Sequence, residues 1–263
     1  MKEIRLQAHR GVASDFPENT KSAFEAAVNE GYKIIELDPK YTKDNVCVLL
    51  HDRTINRTAR KSNGESVDVE KKIAEISFEE ASSYDYGLWM GEKFKGEKLM
   101  TLDELLEFMA RNNIHVKFDN VWQSFTDEQQ KDFLTKLRDS ALGSKIGITC
   151  SDVDFLKKAL DVIGGECEVH WDGKLDEELM KEVTSIANGR RTTFWACFDN
   201  PNTAWFTGEK ASIALCERVK KYGELGVWIL TKEDELWVAV NEFDADAIET
   251  IGTIKPCMIK EKG

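Results

Sequence analysis

The sequence predicts a (β/α)8 barrel, on three observations. Short β-rich runs alternate with longer segments of helical periodicity along the chain. Setting one hairpin aside, eight such runs are found, with a helix between each consecutive pair. The length of 263 residues suits one such barrel, which commonly runs to about 250 residues. A doubly wound open sheet is the runner-up on pattern alone.

The first strand is 5–10 and ends in His9 and Arg10. A helix over 20–30 follows, with Ala23, Phe24, Ala27 and Val28 on one face, Asn19 or Thr20 as cap, and Gly31 just past its end. The second strand is 33–38. Two extended runs, 41–46 and 46–51, are then joined by Lys43-Asp44-Asn45, which is turn chemistry. So short a connection cannot make a parallel crossover, so the run ending at His51 returns antiparallel towards Asp38. Later strands are expected at 114–119, 145–150, 166–171, 192–198, 226–231 and 247–250. Helices are expected at 102–111, 127–137, 153–162, 176–187, 212–221 and 233–242.

Two stretches depart from the repeat. Residues 53–100 are rich in Lys, Glu, Ser and Gly and also hold Tyr84, Tyr86, Trp89 and Phe94. An insertion of that length is usually functional. Residues 199–211 form a shorter Asn/Pro/Thr-rich loop. The expectation is one domain over 1–263, with 53–100 as an inserted subdomain after the second strand.

Composition narrows the function classes. Apolar residues make up 41% and charged residues 32%, as in ordinary globular proteins. The formal net charge of −12 argues against nucleic acid or an anionic membrane surface as a partner. Six cysteines contain no C-x-x-C pair, and four lie in apolar, strand-like runs, which reads as buried free thiols in a reducing compartment. No apolar leader precedes the first strand, and no apolar run approaches the ~18 residues that span a bilayer. A cytoplasmic protein without stable membrane association is expected. A homo-oligomer is compatible with all of this.

The chemistry gathers at the C-terminal ends of the early strands, where barrel enzymes build their sites. Glu36 and Asp38 are two apart on a strand and share a face, so their like charges demand a cation between them or force one pKa up. Oxygen-only ligands indicate a hard divalent cation, Mg²⁺ or Ca²⁺. His9 and His51 reach the same rim and titrate near neutral pH, which suits an acid/base pair. Arg10 can hold a phosphoryl oxygen.

Five motifs agree in order and spacing with one family: Ala8-His9-Arg10-Gly11, Pro17-Glu18-Asn19-Thr20, Glu36-Leu37-Asp38, Thr42-Lys43-Asp44 and His51-Asp52-x-Thr54-x-x-Arg57-Thr58. Together they resemble the glycerophosphodiester phosphodiesterases. Similarity continues through Gly96-Glu97-Lys98 and Thr101-Leu102-Asp103-Glu104-Leu105-Leu106, weakens, and returns faintly at Gly226-Val227-Trp228 and at Asp246-Ala247-Ile248-x-Thr250. The resemblance implies a barrel with an insertion after its second strand and a divalent metal. It also implies hydrolysis of glycerophosphodiesters to glycerol 3-phosphate and an alcohol. His9 and His51 match the family's catalytic histidines, Glu36 and Asp38 two metal ligands, and Arg10 a phosphate-contacting arginine.

The third strand departs from the pattern. Where the family has Glu-x-Lys, this chain has Lys117-Phe118-Asp119, both charged residues still pointing to one face. Either Asp119 supplies the third metal carboxylate and Lys117 reaches the phosphate, or Lys117 replaces the cation by pairing with Glu36 and Asp38. The second arrangement would make a catalytically impaired barrel with a binding or regulatory role. Trp228 is expected to line the substrate site, and His115 and His170 are expected to be structural. A related phosphodiesterase acting on a phospholipid or lysophospholipid is a weaker third option.

Overall fold

A computed structural model describes residues 3–199 and 210–260. Eight parallel strands close into a barrel in the order β1-β10-β9-β8-β7-β6-β5-β2. They are β1 (Arg5–His9), β2 (Ile34–Leu37), β5 (His115–Phe118), β6 (Ile146–Cys150), β7 (Glu168–Trp171), β8 (Thr192–Cys197), β9 (Glu224–Leu230) and β10 (Ala247–Thr250). The short strands β3 (Pro39–Tyr41) and β4 (Cys47–Leu49) form the antiparallel hairpin, with Pro39 opposite Leu49. Leu50 N–H donates to the Asp38 carbonyl at 2.9 Å, so the chain returns beside its exit from the barrel.

Helices α1 (Lys21–Glu30), α3 (Leu102–Asn112), α4 (Asp127–Asp139), α5 (Val153–Ile163), α6 (Glu177–Ala187), α7 (Ile213–Val219) and α8 (Glu233–Asn241) alternate with the strands, and α9 (Pro256–Lys260) follows β10. Their limits follow local chemistry. Thr20 caps α1, and Gly31 ends it at φ 89. Thr101 and Glu104 form a reciprocal capping box at the start of α3, where Leu102, Leu105, Leu106 and Met109 make one buried stripe. The apolar core lies between the barrel wall and these helices.

Three stretches add to or bear on the sequence expectation. The 53–100 stretch is no bare loop: it holds α2 (Phe78–Ser82), and Ile55, Ala59, Val67, Ile73, Ile76, Ala81, Tyr86 and Leu99 join Val48 and Leu50 in a second buried cluster. Periodicity gives no internal elements for this inserted stretch because they are too short to show a repeat. Cys257 is exposed, unlike the other five cysteines, because α9 is a terminal helix rather than part of an apolar run. Most of the loop expected at 199–211 lies outside the described residues.

The barrel lumen is polar, where branched aliphatics are usual. At its N-terminal end Arg5 donates to Glu168 at 2.7 Å, to Glu224 at 2.5 Å and to Thr193 at 3.0 Å. Midway, Trp195 Nε1 donates to His170 Nδ1 at 3.1 Å, and Lys117 lies 4.4 Å from the Trp195 ring. The C-terminal end opens as the mouth.

Candidate active site

The end of β1 turns sharply. Arg10 and Gly11 both adopt left-handed backbone, at φ 60 and 82, and a Cβ on Gly11 would lie 2.8 Å from Ala23. This close approach seats the start of α1 beside the mouth, and strain at a non-glycine residue there is what functional sites commonly hold. Arg10 N–H donates to the Glu36 carbonyl at 2.9 Å, which locks the turn to β2.

Register sets the inward residues. His9 lies beside Glu36, and Glu36 beside Lys117, across three adjacent strands. His9 Nε2 is 3.6 Å from Glu36 Oε2. Arg10 Nε is 3.2 Å from Asp38 Oδ2, which also accepts from Asn19 Nδ2 at 3.1 Å. Oxygens of Glu36, Asp38 and Asp119 all lie within 4.8 Å of one another. Asp119 also accepts from the N–H of Val121, capping a 3-10 turn over Asn120–Ser124.

The histidines differ in setting. The His9 side chain is 12% exposed and that of His51 is 43% exposed. Burial pulls the His9 pKa down to about 4, against the opposing field of Glu249. His51 Nδ1 is 2.7 Å from Asp52 Oδ1. Arg57 grips Asp52 at 2.6 Å and Glu18 at 2.7 Å, and Glu18 accepts from Arg10 at 3.3 Å. One chain of charged contacts thus runs from His51 to Asp38.

Charge at the mouth is unbalanced. Burial, then the charges of Asp38 and Glu249, push the Glu36 carboxyl well above its ordinary range. Burial also raises Asp119, and raises Asp172 to about 7. Asp38 stays low, because Arg10, His51 and Lys40 outweigh its burial. Around Arg10, Lys40 and Lys117 gather the carboxylates Glu36, Asp38, Asp119, Asp172 and Glu249, so acids outnumber these fixed cations. Glu36, only 2% exposed, keeps Oε2 without a hydrogen-bond partner. An orphaned carboxylate oxygen inside an all-oxygen cluster fits a hard cation.

Lys117 takes a partner that the sequence did not indicate. None of the described ion pairs joins it to Glu36 or Asp38; its ammonium lies 3.0 Å from Glu249 Oε2. The reason is geometric: Lys117 is level with Glu36, and its long side chain crosses the lumen to β10. Trp228 lies on β9 beside Cys197. It shares strand parity with Glu224 and Gly226, which meet Arg5 and Trp195 inside the barrel. His115 lies at the opposite end, 3.3 Å from Glu168, and His170 is buried midway.

Sequence reasoning assigned no part to Glu18, Lys40, Asp52, Arg57 or Glu249. Glu18, Asp52 and Arg57 stood inside the quoted motifs, where their shared ion pairs were available as a signal. Glu249 occupied the unassigned slot of its motif, although a carboxylate inside an apolar strand is itself conspicuous.

A family model described as the glycerophosphoryl diester phosphodiesterase family matches residues 9–162, more than half of the chain. The chain belongs to this family. Among curated proteins, a glycerophosphodiester phosphodiesterase of Caldanaerobacter subterraneus subsp. tengcongensis is 38% identical over 112 residues, which is 43% of this chain and 43% of that protein. A putative glycerophosphodiester phosphodiesterase of Bacillus subtilis is 38% identical over 100 residues, 38% of each chain. The matched stretches thus span less than half of these relatives. Among solved structures, a putative glycerophosphoryl diester phosphodiesterase from Silicibacter pomeroyi superposes with TM-score 0.75 at 18% identity, covering 95% of this chain and 90% of that one. An Oleispira antarctica phosphodiesterase in complex with the product sn-glycerol-3-phosphate superposes with TM-score 0.73 at 16% identity, covering 98% and 95%. At these identities the structures establish the shared barrel. The matched family segment holds His9, Arg10, Glu36, Asp38, His51, Lys117 and Asp119; Trp228 and Glu249 lie beyond it.

Proposed function

We propose that the chain is a divalent-metal-dependent phosphodiesterase that hydrolyses glycerophosphodiesters to glycerol 3-phosphate and an alcohol. The observation that carries the reading is the acid surplus at a mouth that also gathers His9, His51 and Arg10. Family membership makes the phosphodiester the natural substrate. Residues 53–100 are read as an insertion within one barrel domain, bringing Arg57 to the rim.

Glu36, Asp38 and Asp119 would hold Mg²⁺ or Ca²⁺, which when bound supplies positive charge to the phosphoryl oxygens as they gain charge. Arg10 orients a phosphoryl oxygen, and Lys117 sets the field beneath it. Largely enclosed and neutral, His9 takes the proton at Nε2 from the attacking water, or from the glycerol 2-hydroxyl in a first step to a cyclic phosphate that water then opens. His51, whose Nδ1 is held by Asp52, delivers a proton from Nε2 to the leaving alcohol oxygen. Trp228 bounds the space for the organic group. The rival reading, with Lys117 replacing the cation, would need its ammonium among Glu36 and Asp38; its ion pair among the described residues is with Glu249.

Assaying the purified chain on glycerophosphocholine, glycerophosphoethanolamine and glycerophosphoglycerol, with Mg²⁺ or Ca²⁺, tests the reading. Release of glycerol 3-phosphate is expected. Its absence from all three substrates with both ions overturns the proposal.

A further inference from the structure

On β5 the inward position level with Glu36 is occupied by Lys117, a cation at the edge of a site that needs negative charge. A carboxylate enters the same region from the other side of the barrel. Glu249, on the last strand, lies level with Gln7 and is 4% exposed. Its Oε2 accepts from Lys117 Nζ at 3.0 Å and from Gln7 Nε2. Its Oε1 faces His9 Nε2 at 3.9 Å. A carboxylate oxygen of Glu249, an oxygen of Glu36 and a nitrogen of His9 all lie within 4.8 Å of one another. Glu36 therefore belongs to two overlapping donor groups, an outer one with Asp38 and Asp119 and an inner one with Glu249.

We infer that Glu249 is part of the cation site, an inner carboxylate contributed by the last barrel strand. The inference rests on the proposed cation at Glu36 and adds a ligand position outside the stretch that matches the family model. Two observations carry it. Lys117 and Gln7 both occupy one oxygen of Glu249, which leaves the other facing His9 Nε2 at 3.9 Å, in a group whose ligand atoms from His9, Glu36 and Glu249 lie within 4.8 Å of one another. Glu36, whose Oε2 is deeply buried and without a hydrogen-bond partner, is common to both groups, and that oxygen lies 3.6 Å from His9 Nε2. Buried carboxylate oxygens so placed are satisfied by a shared cation. Lys117 also offsets part of the negative charge that Glu249 brings to the group.

The test is calorimetric titration of the whole chain with MgCl₂ and, separately, CaCl₂, for wild type, Glu249→Asp, Glu249→Gln and Asp119→Asn. Metal-free melting curves establish that each variant is folded. The Asp variant keeps the charge beside Lys117 but withdraws the carboxylate by about 1.5 Å, one carbon–carbon bond. A ligand role predicts about tenfold or greater loss of ion affinity in Glu249→Asp as well as in Glu249→Gln. Wild-type affinity in Glu249→Asp overturns the inference and leaves Glu249 as the counter-ion of Lys117. A wild type that binds neither ion overturns the cation reading itself, an outcome visible before any variant is examined.

Discussion

The two ends of the barrel lumen use the same residue types for different ends. At the N-terminal end Glu168 and Glu224 are matched by Arg5 and Arg191, and His115 packs against Glu168. At the mouth, the carboxylates Glu36, Asp38, Asp119, Asp172 and Glu249 crowd together, and a buried Glu36 oxygen has no hydrogen-bond partner. The first set pairs acid with base across strands; at the mouth a buried carboxylate oxygen is left over, an arrangement that suits a ligand. The buried charge that lacks a partner, more than the mere presence of buried charge, separates a structural network from a site.

The largest expected contrast is catalytic. His9→Ala or His51→Ala should each lower turnover on a glycerophosphodiester by at least about a hundredfold, while the melting temperature stays near that of wild type. Full activity in both single variants would break the assignment of the mouth.

The opposite end should respond in stability instead. Burial alone would raise the Glu168 carboxyl, but the contact with His115 and the charges of His170 and Arg5 hold it down to about 2. A folded-state pKa below the ordinary 4.5 contributes stability above that value, and the contribution is lost as pH falls towards 2. Glu168→Gln should therefore cost about 2–3 kcal/mol at pH 7 and flatten the acid limb between these values. Urea unfolding across the acid range measures it.

A smaller effect of reversed sign is expected at the mouth. Without divalent ions, Glu36→Gln should raise stability by about 1 kcal/mol, because it removes a buried charge beside Asp38 and Glu249. The same variant should no longer be stabilised by added Mg²⁺ or Ca²⁺. Thermal melts with and without the ions provide both readings.

The smallest effect belongs to Arg57, which is 41% exposed and ties Asp52 to Glu18. Arg57→Ala should lower kcat/KM only several-fold, about 0.5–1 kcal/mol, through looser placement of His51. A loss as large as that of His51→Ala would show that the contact chain, not the ring itself, limits the reaction.

Much of the site is local in the chain and therefore legible. His9, Arg10, Glu36, Asp38 and His51 lie within a stretch of motifs, and the hairpin that returns His51 follows from the three-residue turn at 43–45. Glu249 was not legible in this way. Its neighbours in space are Gln7, His9 and Lys117, and which strand closes on β1 is decided only when the eighth strand completes the barrel.

By itself the sequence determined the alternation of strands and helices, their caps, and the parity that puts Glu36 with Asp38 and Lys117 with Asp119. These are consequences of backbone geometry within a few residues. Tertiary structure alone decided where the ammonium of Lys117 went. Its side chain can reach several carboxylates, and the barrel's closure put Glu249 within 3.0 Å of it, leaving the acids at the rim open to a cation. Periodicity tells which face a side chain leaves from; only packing across the lumen sets which charge it meets.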